Sequence, residues 1–106
     1  MSAFYIYVDD IRKCPYGEDD RFIIFTARTY NAAIEVIDYC SSFKGAEIYI
    51  DLDHDLGEEK SGYDICKYIV ENQIPITKYT VHSMNSVGKW NIHQLMSHYG
   101  YGRFEI

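Results

Sequence analysis

Three short polar runs each follow an apolar stretch: Asp9-Asp10 after Ala3 to Val8, Asp53-His54-Asp55 after Glu47 to Leu52, and His82-Ser83-Met84-Asn85 after Lys78 to Val81. Asp9, Asp10 and Asp53, if gathered, place three carboxylates side by side. Like charges at ~4 Å repel by about 1–4 kcal/mol depending on screening, so such a trio calls for a raised pKa or a bound hard cation. Oxygen-only ligation suits Mg²⁺ best, with Mn²⁺ second. The plainer alternative is that these acids cap loops and sit in water. His54 is flanked by acids, which favours its imidazolium form, and His82 ends an apolar run beside a hydroxyl. Two histidines next to a candidate cation site can act as general base or nucleophile and as general acid toward a phosphoryl group. Ser83 and Asn85 are neutral donors for phosphate oxygens, and Arg12 and Lys89 are the cations best placed for an anionic substrate. Asp55 is a further candidate. Asp51 is expected to point away from the site or to lie within its strand. His93 and His98 read as surface residues.

The elements that must position these side chains follow from periodicity. Ala3 to Val8 is apolar on both parities, the pattern of a strand covered on two faces. Ile11 to Arg21, with Pro15 and Gly17, reads as a loop. Phe22 to Thr26 is a second strand of open direction, because the short connection before it barely allows a parallel crossover. Thr29 is a plausible N-cap for a helix carrying Tyr30, Ala33, Ile34, Ile37 and Cys40, closed by Gly45. Glu47 to Leu52 is the third strand. A helix from about Gly62 places Ile65, Cys66, Ile69 and Val70 on one side and stops before Pro75. Lys78 to Val81 is the fourth strand, and the last helix carries Ile92, Leu95, Met96 and Tyr99, with Gly100 at its C-cap. Arg103 to Ile106 is a final short strand. This order predicts an open α/β sheet of mostly parallel strands, about five, with about three helices. In such sheets the ligand site lies just past the carboxyl ends of the strands, which is where all three polar runs fall.

With 106 residues, 47% hydrophobic and 25% charged, the chain is expected to be one domain, 1–106, with enough apolar area to fold. A formal charge of −6 argues against a nucleic-acid coat or a membrane-surface binder. The three cysteines, Cys14, Cys40 and Cys66, form an odd, widely spaced set with no CxxC, which disfavours a structural zinc site and a disulfide framework. Cys40 and Cys66 fall on apolar helix faces as small buried hydrophobes. The first apolar run is too short for a signal peptide or membrane span, so the expected compartment is reducing and cytoplasmic. No Walker loop or dinucleotide fingerprint is present.

The Asp pair after the first strand and the Asp after the third resemble the receiver domains of response regulators, which bind Mg²⁺ with that trio. The hydroxyl after their fourth strand is here replaced by the His82-Ser83-Met84-Asn85 run. Their lysine after the fifth strand has no counterpart, and their first helix is reduced to a loop. A closer resemblance, over nearly the whole chain, is to the cyclic-phosphate-processing receiver-like domains. It rests on Val8-Asp9-Asp10-Ile11-Arg12 with Pro15, on Arg28-Thr29 with Ala33-Ile34, and on Leu52-Asp53-His54-Asp55-Leu56-Gly57. Gly62-Tyr63-Asp64 and His82-Ser83-Met84-Asn85 with Gly88 complete it. The resemblance implies a receiver-like (flavodoxin-like) fold and a metal-dependent phosphoesterase acting on cyclic nucleotides or on RNA ends bearing a cyclic phosphate. On that reading Asp9, Asp10 and Asp53 hold Mg²⁺ or Mn²⁺, His54 and His82 handle protons, and Arg12, Ser83, Asn85 and Lys89 orient the phosphate. Two rivals stand beside it: a stand-alone signalling receiver phosphorylated on Asp53, and a non-catalytic binder of cyclic nucleotides.

Overall fold

A computed structural model describes residues 3–17 and 20–105. Seven elements follow in the order β1 (Ala3–Val8), β2 (Ile23–Ala27), α1 (Tyr30–Ser41), β3 (Glu47–Leu52), α2 (Gly62–Glu71), β4 (Lys78–Val81) and α3 (Ser86–His98). The strands form one sheet in the order β2-β1-β3-β4, and every neighbouring pair is parallel. β2, whose direction the sequence left open, therefore runs with β1, and the connection reaches it without a helix. Arg28 pins that connection: its guanidinium donates to the carbonyl oxygens of Asp9 and Arg12.

Among the described residues the expected fifth strand is a single bridge, Tyr79 with Arg103, parallel to β4. Its backbone bonds run from Tyr79 N–H to Gly102 O and from Phe104 N–H to Tyr79 O. Gly100 and Gly102 stand just before it and weaken any longer strand. Ile106, included in the expected strand, lies outside the described residues, as do Glu18 and Asp19 of the loop.

Alternation along the strands sends residues two apart to the same side. Phe4, Ile6 and Val8 of β1, Ile48, Ile50 and Leu52 of β3, and Tyr79 and Val81 of β4 form one core with buried residues of all three helices. Those helix residues are Ala33, Ile37 and Cys40 of α1, Ile65, Cys66 and Ile69 of α2, and Ile92 and Met96 of α3. Tyr99, expected on the buried stripe of α3, is its C-cap and stands 57% exposed.

Among the described residues the opposite side of the sheet carries no helix. Tyr5, Tyr7 and Tyr49 there meet aromatic rings from the β1–β2 connection and the C-terminal segment. Tyr5 lies 5.4 Å from Tyr16 and 6.1 Å from Phe104, and Tyr49 lies 5.3 Å from Phe22, all edge-on. Edge-to-face packing of this kind is favourable beyond the area it buries. The abundance of tyrosine in the chain has a structural use here, covering with a thin aromatic layer what helices cover on the other side.

Caps set the helix starts. Thr29 Oγ1 accepts from Ala32 N–H at 3.1 Å. Ser61 and Asp64 form a reciprocal capping box at the start of α2. Gly62 is required there by close approach, since a Cβ on it would lie 2.1 Å from the Asp53 carbonyl oxygen.

Candidate functional site

Beyond the carboxyl ends of β1, β3 and β4 the three polar runs meet at one edge of the sheet. Asp9 continues the Tyr5-Tyr7 alternation and is 1% exposed. Its Oδ1 accepts from the backbone N–H groups of Ile11 (2.9 Å) and Arg12 (2.7 Å), which turns the chain out of β1. Its Oδ2 faces His82 Nε2 at 2.9 Å.

His82 is held on three sides. Nε2 meets Asp9, and Nδ1 meets Asp51 Oδ1 at 2.5 Å. The ring stacks on Tyr7 with centroids 4.7 Å apart and planes within 4°. Asp51, 1% exposed, spends its other oxygen on the Tyr5 hydroxyl at 2.7 Å. Asp51 does lie within its strand, as one of the two expectations had it, while the other, that it points away from the site, is overturned. It shares the strand face of Asp53, two residues on, and turns toward His82. A charge inside a buried strand must be paired, and that requirement was the signal in the sequence that Asp51 had a partner.

The electrostatics follow from this chain of contacts. Burial alone would lower the His82 pKa, but the hydrogen bonds and charges of Asp51 and then Asp9 outweigh it and raise it above the ordinary value. Burial pushes the Asp9 carboxyl up, yet the backbone N–H groups of Arg12 and Ile11, followed by His82, bring it below the usual carboxylate range. Burial, then the nearby Asp9 carboxylate, lifts the Tyr7 phenol to about 12. Burial and then the Asp51 carboxylate raise Tyr5, so it remains a donor. The result is a histidine ring clamped between two carboxylates.

Asp9, Asp53 and His82 each offer one ligand atom, all within 4.8 Å of one another. Among the described residues this is the group of side chains able to hold a metal ion. Opposed ligands on one Mg²⁺ or Mn²⁺ stand about 4.2 Å apart, twice a ligand distance of ~2.1 Å, so the group closes on a cation with small movements. The donor set fits a divalent metal, on condition that His82 Nε2 or Asp9 Oδ2 exchanges its partner for the ion. Asp10, expected as the third carboxylate, is not in the group. It is half-buried and leans over Gly57, with Oδ2 2.9 Å from where a Cβ would stand.

His54 belongs to a second cluster on the same edge. Its Nδ1 lies 2.9 Å from Asp55 Oδ1, and its ring occupies the space above Gly88 of α3. A Cβ at Gly88 would come within 2.4 Å of that ring, so only glycine admits it. Asn85 caps α3 by accepting from Gly88 N–H at 2.9 Å, and its Nδ2 is 3.4 Å from Asp55 Oδ1. The Asp55 carboxyl is lowered by the His54 hydrogen bond first and by Asn85 after it. The two clusters touch where Asp55 N–H points at Asp53 Oδ1, 3.4 Å away.

Arg12 is exposed beside Asp9, while Ser83 Oγ accepts from Asn85 N–H at 3.0 Å. Ser83 and Lys89 line a cavity along the β4 edge whose wall includes His82. Two large apolar side chains stand free on the rim, Ile11 at 82% and Met84 at 87% exposure. His98 is exposed as expected, but His93 is not a surface residue: its Nδ1 meets the Tyr79 hydroxyl at 3.0 Å and its Nε2 is buried.

Residues 4–98 match the family model described as the cyclic-phosphate processing receiver domain. The chain belongs to that family. No curated protein and no solved structure matches the chain. Membership in the cyclic-phosphate processing receivers agrees with the all-parallel sheet flanked by helices. Among the described residues no helix is long and apolar enough to cross a membrane.

Proposed function

We propose that this receiver domain is a metal-dependent phosphoesterase that opens cyclic phosphates of nucleotides or RNA ends. One juxtaposition carries the reading: Asp9, Asp53 and His82 converge within 4.8 Å at the edge of the sheet in a chain of the cyclic-phosphate processing family. The residues that would hold the ion are Asp9 and Asp53, with His82 or Asp10 completing the set. An imidazole among the donors favours Mn²⁺ over Mg²⁺. When bound, the cation polarises a phosphoryl oxygen and offsets charge in the transition state.

The remaining work falls to the chain's own side chains, and the two histidines are unequal in it. Both nitrogens of His82 face carboxylates, so it compensates charge and positions Asp9. His54 has only Nδ1 tied, to Asp55, which leaves Nε2 with the lone pair, the arrangement of an oriented general base. In our reading His54 takes the proton of the attacking water as an endocyclic P–O bond breaks, and returns it to the departing oxygen. Asn85 steadies the His54–Asp55 pair, while Arg12, Ser83 and Lys89 bind phosphate oxygens. Burial raises the thiols of Cys40, to about 11, and Cys66, keeping both unreactive in a reducing, cytoplasmic setting.

The test is chromatographic hydrolysis of 2′,3′-cyclic and 3′,5′-cyclic nucleotides and of a cyclic-phosphate-ended oligoribonucleotide, with Mn²⁺, Mg²⁺ or chelator. Product that needs metal and disappears in Asp53→Asn is expected. No product, together with a mass gain from acetyl phosphate that Asp53→Asn abolishes, would replace the enzyme by a signalling receiver.

A further inference from the structure

Asp9 and Asp51 are both buried carboxylates, but Asp51 is not among the groups whose ligand atoms come together. A carboxylate inside a strand is costly to bury unless it is fully paired, and the function proposed above gives Asp51 no part. Both of its oxygens are in use. Oδ2 accepts from the Tyr5 hydroxyl at 2.7 Å, and Oδ1 meets Nδ1 of His82 at 2.5 Å. An ionised carboxylate only accepts, so the proton between Oδ1 and Nδ1 belongs to the ring.

That contact decides which nitrogen can serve as a ligand. With Nδ1–H donated to Asp51, the neutral ring carries its lone pair on Nε2, the atom that faces Asp9 Oδ2 at 2.9 Å. The ring is also fixed in plane, stacked on Tyr7 with centroids 4.7 Å apart. Asp9 is anchored in turn, its Oδ1 held by the backbone N–H groups of Ile11 and Arg12, so its Oδ2 stays aimed at the ring. Asp10, the acid that an all-oxygen site would use, leans over Gly57 outside the group. A metal-binding imidazole whose other N–H rests on a carboxylate has its tautomer set and its ligand nitrogen made more basic.

We propose that Asp51, backed by Tyr5, is a positioning residue for the metal: it keeps the proton on Nδ1, so that His82 binds the ion through Nε2. The ion then takes the place of the contact between Nε2 and Asp9 Oδ2. A nitrogen in the donor set suits Mn²⁺ better than Mg²⁺, which prefers oxygen, and Asp51 is the residue on which that preference depends. The inference rests on the metal site of the function proposed above and not on the reaction assigned to it.

The experiment reads Mn²⁺ bound to the full chain by electron spin-echo envelope modulation, which detects a coordinated nitrogen, and measures its Kd in competition with Mg²⁺. Wild type is expected to show nitrogen coupling, retained in His54→Gln and lost in His82→Gln. Asp51→Asn, nearly the same in shape, should lose it too. The Tyr5 hydroxyl claims the amide oxygen, the amide N–H faces Nδ1, and the ring proton moves to Nε2. Mn²⁺ binding then weakens about 10–100-fold, and Mg²⁺ binding, which relies on oxygen, by less than about threefold. In Tyr5→Phe/Asp51→Asn the amide can turn its oxygen to Nδ1 and the coupling returns, which damage to the fold does not produce. If Asp51→Asn does not fold, wild type loaded with diamagnetic Zn²⁺ decides: a His82 proton resonance on Nδ1 is expected, and a proton on Nε2 overturns the inference. Bound Mn²⁺ without nitrogen coupling in wild type, coupling that survives His82→Gln or Asp51→Asn, or equal weakening of both metals also overturns it and leaves a metal-dependent phosphoesterase standing. Coupling without hydrolysis of any cyclic phosphate supports it although the enzyme reading fails, and no bound Mn²⁺ overturns both.

Discussion

On β1, Phe4, Ile6 and Val8 turn toward the helices while Tyr5, Tyr7 and Asp9 turn away. On β3 the same alternation divides Ile48, Ile50 and Leu52 from Tyr49, Asp51 and Asp53. The two faces are built from interleaved residues of the same strands, yet they are stabilised differently. The helix-covered face is a set of apolar contacts in which each side chain contributes its own buried area. The other face is a chain of dependences: Tyr5 donates to Asp51, Asp51 holds His82, and His82 faces Asp9, whose second oxygen turns the backbone. Removing a link there strands its neighbours, and that difference can be measured.

The largest effect is expected at the middle of the chain. Asp51→Ala leaves the half-buried His82 ring with one carboxylate and a buried phenol without its acceptor, which should cost about 3–5 kcal/mol in urea unfolding. Ile50→Val, one residue away on the other face, should cost only ~0.5–1.5 kcal/mol. Equal losses would erase the distinction between the faces.

A smaller effect sharpens the same point. Tyr5→Phe removes only the hydroxyl that donates to Asp51, and should cost about 1.5–3 kcal/mol, the range for a hydrogen bond to a charged group. In the Asp51→Ala background the same change should cost much less, because its partner is already gone. Strict additivity would mean that the phenol stabilises by packing against Tyr16 and Phe104 and that the chain of dependences stops at Asp51.

What the sequence made legible follows the same division. Strands β1, β3 and β4 could be bounded from their apolar runs, and Thr29 and Gly62 marked helix starts, because those signals are local. The convergence of Asp9, Asp53 and His82 was also legible, since a parallel sheet brings its carboxyl ends to one edge. The direction of β2 was not, because it depends on how Arg28 gathers a helix-free connection onto the end of β1. The partners of Asp51 and His93 were hidden for a related reason. Each lies across the sheet or across a helix, at Tyr5 and His82 for one and at Tyr79 for the other, and no spacing along the chain encodes such contacts. The fifth strand was overestimated because the alternating Arg103 to Ile106 ending reads as a strand, whereas among the described residues its pairing is one bridge.

His93 and His82 stand on opposite faces, and their pH behaviour should have opposite signs. His93 packs against Tyr79 on the helix side, and burial, then Arg103 and Lys89, lower its pKa. The folded protein therefore keeps it neutral while the unfolded chain takes up a proton near pH ~6.5. Its contribution is complete above that pH and is lost as pH falls below it. His82 is the reverse case: Asp51 and Asp9 overcome burial and raise its pKa. Its contribution is complete below about pH 6.5 and is lost as pH rises through the higher folded value. In metal-free protein with chelator, the stability gap between wild type and His93→Gln should be widest near about pH 8 and narrow toward about pH 5. The gap for His82→Gln should narrow in the other direction, toward alkaline pH. Gaps that move together would show that the two faces do not hold their histidines in opposite charge states, and the comparison between them would fail at its most direct point.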